Sequence, residues 1–94
     1  MALQITAVRM SPGGTTHEHI TILWWTNQTS GNTRRSTRAQ LVDWIESKSG
    51  TAYTSDAAGR RAEVFVVTPA QGEKYLRTRA DGVWTNNLLA LPRR

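Results

Sequence analysis

Ninety-four residues suffice for one domain with one modest core, of roughly 12 Å radius of gyration, and leave little room for a deep substrate cleft. The chain has no cysteine, which excludes a disulfide framework and a thiolate zinc site, and no apolar run long enough to span a membrane. Twelve basic side chains against seven acidic ones give a net charge of +5, which bears on solubility and on anionic partners before it identifies any site.

Ten of the twelve basic residues are arginine, the side chain best suited to forked phosphate contacts and to stacking on bases. A GC-rich coding sequence produces the same bias without any ligand. The apolar share is only 38%, and four tryptophans compensate because each buries a large area. The first residues lack the basic start and apolar centre of a secretion signal. With no cysteine, they lead us to expect a cytoplasmic protein.

Residues 3–10 alternate, with Leu3, Ile5 and Ala7 on one face and Gln4, Thr6 and Val8 on the other, which is strand periodicity. Ser11-Pro12-Gly13-Gly14 turns the chain. A second strand over 20–26 carries Ile20, Ile22 and Trp24 on one face and Thr21, Leu23 and Trp25 on the other, so both faces are expected to be covered. The two strands are expected to form a hairpin. Residues 27–35 are polar and aperiodic and read as a loop.

Thr37, with Gln40 three residues on, has the spacing of a capping box, and Ser36 is a competing cap. Leu41, Val42, Trp44, Ile45 and Lys48 follow at helical spacing. Gly50 is a stop signal, giving a helix of about three turns. Residues 51–54 read as a short strand and Asp56-Ala57-Ala58-Gly59 as a turn. Residues 61–68 make the strongest strand, with Val64 and Val66 opposite Phe65 and Val67.

Lys74 to Arg79 forms a further strand, placing Tyr75, Arg77 and Arg79 on one side. Asp81-Gly82 is a two-residue hairpin signal. Val83-Trp84 opens a last short strand running into Leu88, Leu89 and Leu91 before Pro92, and Asn86-Asn87 is expected to shape a turn or bulge. The expectation is a single α+β domain spanning 1–94. Its antiparallel sheet has the order ββαβββ, with one further short C-terminal strand, and one helix lies on one face.

Ile5-Thr6-Ala7-Val8-Arg9, His17-Glu18-His19-Ile20-Thr21 and Thr37-Arg38-Ala39-Gln40-Leu41-Val42-Asp43-Trp44-Ile45 occur in this order. Lys74-Tyr75-Leu76-Arg77-Thr78 and Ala80-Asp81-Gly82-Val83-Trp84-Thr85-Asn86-Asn87-Leu88-Leu89-Ala90-Leu91-Pro92 follow. In these segments the chain resembles a family of short bacterial and phage proteins catalogued as domain of unknown function 3892. The resemblance covers nearly the whole chain. It implies a single small domain, and it brings no activity and no site residues.

Three constellations carry chemistry. Tyr75, Arg77 and Arg79 share a strand face, and if the helix leaves that face open it suits stacked bases and phosphates. Arg34, Arg35 and Arg38 add charge near the helix N-terminus, while Glu63 and Glu73 are placed to pair with arginines across strands. Trp25 and Trp84, if exposed together, would make a protein-binding hot spot, whereas a small core has use for all four tryptophans. In extended backbone His17 and His19 would share a side and could hold a metal, with Asp56 or Asp81 as a third ligand. In the plainer reading they bond to neighbours or solvent.

There is no Gly-x-Ser-x-Gly elbow, phosphate loop or dinucleotide turn, so no enzyme activity and no cofactor are expected. The leading expectation is a non-enzymatic interaction module that binds a protein partner or associates with itself. The alternative is an accessory nucleic-acid binder, and a metal-dependent enzyme is a distant third.

Overall fold

The computed structural model describes residues 2–55 and 58–94. The alternating N-terminal stretch forms β1 (Ala2–Met10), which pairs antiparallel with β2 (Ile20–Asn27) as expected. The facing of their side chains differs from simple alternation. Ile5 pairs with Trp25 and Ala7 with Trp24, so Thr6 is an extra residue in β1. Arg9 pairs with Ile22 and Met10 with Ile20, which leaves Thr21 extra in β2.

Each bulge resets the two-residue period. Val8 therefore joins Leu3 and Ile5 on the inner face, and Ile20 joins Leu23 and Trp25 there. Ala7, Arg9, Ile22 and Trp24 occupy the outer face.

The segment read as a loop contains a strand, β3 (Thr33–Thr37), paired antiparallel with β2. Only the tight turn between them remains, where the Gly31 N–H donates to the Asn27 carbonyl at 2.7 Å. β3 is an edge strand of Thr, Arg and Ser whose register comes from β2, so its own sequence shows no apolar alternation.

α1 (Arg38–Ser47) starts at the expected cap. The Gln40 N–H donates to Thr37 Oγ1 at 3.2 Å, and the Thr37 N–H donates to Gln40 Oε1 at 2.9 Å. The left-handed residue after the helix is Ser49, at φ 54°. Gly50 serves a different need, because a Cβ there would lie 2.3 Å from the Trp44 ring.

α1 carries the chain from β3 to the far side of β1, where β4 (Thr51–Ser55) enters parallel to Ala2–Gln4. The sheet is therefore mixed and not purely antiparallel, since a helical crossover permits a parallel neighbour where a tight turn does not. β5 (Arg61–Val67), β6 (Tyr75–Ala80) and β7 (Val83–Thr85) follow as an antiparallel meander. Asp81 and Gly82, at φ 53° and 77°, form the two-residue hairpin between β6 and β7. The Asp56 and Ala57 positions of the expected β4–β5 turn lie outside the described residues.

The last strand is shorter than expected and ends at Thr85. Residues 86–91 instead make turns in which the Ala90 N–H donates to the carbonyls of Asn86 and Asn87, each at 3.2 Å. This agrees with the turn expected at Asn86-Asn87. The chain then returns to β1, where the Val8 N–H donates to the Pro92 carbonyl and the Arg94 N–H to the Val8 carbonyl, both at 3.0 Å. β4 covers only the first part of that β1 edge, and the C-terminal residues cover the rest.

The described residues form one seven-stranded sheet, ordered β3-β2-β1-β4-β5-β6-β7, and one α-helix. α1 touches β2 and β3 as well as β5 and β6, so the sheet curls around it. Leu3, Ile5, Val8, Leu23, Leu41, Val64, Leu76 and Leu88 are among the core residues inside that curl. The radius of gyration is 12.4 Å. Among the described residues no helix is long and apolar enough to cross a membrane.

Candidate nucleic-acid interface

Pairing register identifies the face that α1 leaves open. Leu76 and Val64 point into the core, so their neighbours in β5 and β6 point outward. In those ladders Phe65 pairs with Arg77, Glu63 with Arg79, and Val67 with Tyr75. Tyr75, Arg77 and Arg79 therefore lie on the open face, with Trp84 opposite Arg79 in β7. Glu63 also pairs with Tyr53, and Gln4 pairs with both Tyr53 and Thr26, which extends the same face across β4, β1 and β2.

On this face guanidinium groups lie over aromatic rings. Arg9 and Arg94 lie 5.3 and 5.0 Å from the centroid of Trp24, and Arg61 lies 4.5 Å from that of Tyr53. Arg77 and Arg79 lie 5.8 and 5.3 Å from Trp84, and Arg79 also lies 5.4 Å from Phe65. Phe65 and Trp84 meet edge to face at 6.3 Å.

Each such contact contributes about 0.5–1 kcal/mol at an exposed site and restrains a long side chain. Arg9 also donates from Nε to the Arg94 carbonyl at 2.8 Å, and Arg77 and Arg79 make longer bonds of 3.5 Å to Thr85, Asn86 and Gly82, so the fork of each guanidinium has donors left over for a phosphate oxygen. Trp24 and Tyr53 are each 8% exposed beneath their arginines, whereas Trp84 is 43% exposed and presents its ring to solvent.

Charge is concentrated on the same face. Arg9, Arg35, Arg61, Arg77, Arg79 and Arg94 stand there against Glu63. Asp81 borders the same surface beside Arg61, Glu63 and Arg79, so arginine outnumbers carboxylate there but does not stand alone. The expected pairing of these arginines with Glu63 and Glu73 is not seen among the described residues. Glu73 pairs with Arg38, and Glu46 with Lys74. Arg79, although opposite Glu63, lies over Phe65 and Trp84.

The other expected site residues are dispersed. Arg35 shares the outer face through its pairing with Trp24, and Arg34 shares the inner-side register of Trp25. Arg38 anchors the β5–β6 turn, donating to Glu73 and to the Glu18 carbonyl. Trp25 packs against the core and donates from Nε1 to Ser36 Oγ at 3.0 Å. Trp25 and Trp84 therefore lie on opposite faces of the sheet. The ring that reaches the outer face from the Trp24-Trp25 pair is Trp24.

His17 and His19 sit in a 3-10 turn (His17–His19), so the extended geometry that would put both imidazoles on one side is absent. His19 Nδ1 accepts from the N–H groups of Thr15 and Thr16 at 3.2 and 3.3 Å. His17 is buried, and its Nε2 has no hydrogen-bond partner among the described residues. Burial, and then the Arg77 charge, push its imidazole below the ordinary 6.5, with Glu18 opposing. No group of three or more metal-ligating side chains comes together among the described residues, and Asp56 lies outside them.

Sequence reasoning did not place Arg9, Arg61, Arg94, Tyr53 and Phe65 in this surface. Phe65 and Arg61 were within reach, since the strand alternates and the hairpin to Arg77 follows. Arg9 needed the bulge at Thr6, and Arg94 needed the return of the C-terminus to Val8.

The family model described as a protein of unknown function, DUF3892, matches residues 4–92. The chain belongs to the DUF3892 family. The match takes in β2 to β7 and all of β1 from Gln4, together with the aromatic and arginine positions of the open face except Arg94. No curated protein and no solved structure matches this DUF3892 chain significantly.

Proposed function

We propose that the chain is a non-enzymatic binder of single-stranded nucleic acid, held across the open face of the sheet. The observation that carries this reading is the coincidence of three features on one surface: freedom from the helix, more arginines than carboxylates, and arginines seated on aromatic rings. Arginines over Trp24, Tyr53 and Trp84 supply phosphate contacts along the face, and Trp84 supplies an exposed ring on which a base can stack.

A single strand fits better than a duplex. Seven adjacent strands span about 29 Å, which is too wide for a major groove of about 12 Å. Stacking on Trp84 also requires a base free of its partner.

Fluorescence anisotropy of a labelled mixed-sequence oligonucleotide, at low and moderate salt, tests the proposal. The expected result is binding that weakens steeply with salt, and weakens further in the Arg77→Ala/Arg79→Ala variant. Salt-independent binding, or equal affinity in that variant, would overturn it.

A protein partner or self-association is the second reading. It is favoured by Val83, which is 65% exposed beside Trp84 on the edge strand β7. Sedimentation of the wild type and of Val83→Lys distinguishes it, since self-association through this edge predicts an oligomer that the substitution dissolves.

A further inference from the structure

We propose a second binding site, for a nucleoside phosphate, in the groove between β3 and α1, with the base between Trp25 and Trp44 and the phosphate against Arg34 and Lys48. The groove lies at the edge of the curled sheet, on the inner side of β3. Its volume is ≈ 650 Å³, and Trp25, Trp44, Arg34, Arg35, Asp43 and Lys48 are among its lining residues. That volume lies within the ordinary range for small-molecule pockets.

The two indoles are fixed by independent devices. Trp25 is held by its hydrogen bond to Ser36 and by cross-strand pairing with Arg34. Trp44 lies against the bare Cα of Gly50, where a Cβ would come within 2.3 Å of the ring, and its carbonyl accepts from the Gly50 N–H at 3.1 Å. Both rings are half-buried, and both line the groove. Among the described residues the ring-to-ring contact is Phe65 with Trp84, so Trp25 and Trp44 do not stack on each other.

Two restrained indoles lining one groove offer apolar ring surface that suits a planar ligand. Arg34, Arg35 and Lys48 outweigh Asp43, whose Oδ1 already accepts from Ser47 Oγ at 3.0 Å. The groove thus asks for a planar ring that carries an anion.

Such a group has two sources. One is a free mononucleotide. The other is the terminal nucleotide of a strand lying on the outer face, and this source rests on the function proposed above. Arg35 links the two surfaces, because it pairs with Trp24 on the outer face and also lines the groove at the edge strand.

The test follows the indole N–H resonances of the full chain during titration with adenosine 5′-monophosphate, inorganic phosphate, and an oligonucleotide with and without a 5′-phosphate. Saturable movement of the Trp25 and Trp44 signals by the mononucleotide, with Trp84 still, establishes the site and a free-nucleotide source. Movement of the same two signals by the 5′-phosphorylated oligonucleotide alone establishes the site and the strand-end source. In either case Arg34→Ala, a change at an exposed edge position, weakens the response about tenfold, as expected for a charge-assisted phosphate contact.

The Arg77→Ala/Arg79→Ala variant leaves the mononucleotide response intact even if it abolishes outer-face binding, which separates failure of this proposal from failure of the other. Immobile Trp25 and Trp44 signals with every ligand would overturn the proposal, as would equal responses to inorganic phosphate and the mononucleotide.

Discussion

Arg79 and Trp84 stand directly opposite each other in the β6–β7 ladder, with the Arg79 guanidinium 5.3 Å from the centroid of the Trp84 ring. The pair joins the two kinds of contact a single strand offers, phosphate and base, at one point of the open face. Replacing each member should therefore have a different signature. Trp84→Ala removes a stacking ring, which is worth about 1–3 kcal/mol per base, and should leave the salt dependence unchanged. Arg77→Ala/Arg79→Ala should lower the slope of log affinity against log salt by about 1.4, at about 0.7 per phosphate contact. Anisotropy titrations at several salt concentrations check both.

Leu88 is fully buried although it lies outside any strand or helix. Leu88→Ala should cost about 2–5 kcal/mol, as for other large apolar groups removed from a packed core. Val83→Ala, at a site 65% exposed, should change stability by less than about 0.5 kcal/mol. Urea denaturation of the two variants makes the comparison.

Ser49 and Gly50 should respond in opposite directions. Ser49→Gly relieves a left-handed backbone at φ 54° and should leave stability unchanged or raised by a few tenths of a kcal/mol. Gly50→Ala drives a methyl into the Trp44 ring and should destabilise the fold by about 1–3 kcal/mol. Thermal melts of the two variants test this, and Gly50→Ala should also alter the environment of Trp44 in near-ultraviolet circular dichroism.

His17 makes stability depend on acidity. Its folded-state affinity for protons is lowered, first by burial and then by Arg77, so below the ordinary value of 6.5 the unfolded chain takes up a proton that the native state refuses. The full contribution is present above 6.5 and is lost as pH falls from there toward the lower folded-state value. Urea midpoints at about pH 7.5 and about pH 5.5 should differ more in the wild type than in His17→Gln, which lacks the titration. Equal differences would remove His17 as the cause.

Much of this architecture was readable from local chemistry. The capping box at Thr37 and Gln40, the Asp81-Gly82 hairpin, and the opposite facing of Val64 and Phe65 each depend on residues a few positions apart. What was hidden depends on distant partners. The bulges at Thr6 and Thr21 appear only when β1 and β2 are paired, and they decide the facing of Arg9, Val8 and Ile20. β3 has one neighbour and borrows its register, so nothing in Thr33-Arg34-Arg35-Ser36-Thr37 marks a strand. The parallel entry of β4 and the return of Pro92 to Val8 join segments roughly fifty and eighty residues apart.

The candidate surface was readable to the same extent. Tyr75, Arg77 and Arg79 were placed together by alternation alone, but which face was open required the curl of the sheet around α1. Arg34, Arg35 and Arg38 looked like one cluster because they are near in sequence. Arg34 and Arg35 have opposite registers in β3 and meet only at the edge groove, while Arg38 turns away to Glu73.

The most direct measurement is an amide-resolved NMR titration of the labelled protein with a short mixed-sequence single strand, at low and then moderate salt. The account predicts shifts at Arg77, Arg79, Trp84, Arg61 and Arg9 that fade as salt rises, with Val64 and Leu76 on the inner face unmoved. Shifts confined to α1 and the 3-10 turn, or an unchanged spectrum at low salt, would contradict the claim that the open face of the sheet binds nucleic acid.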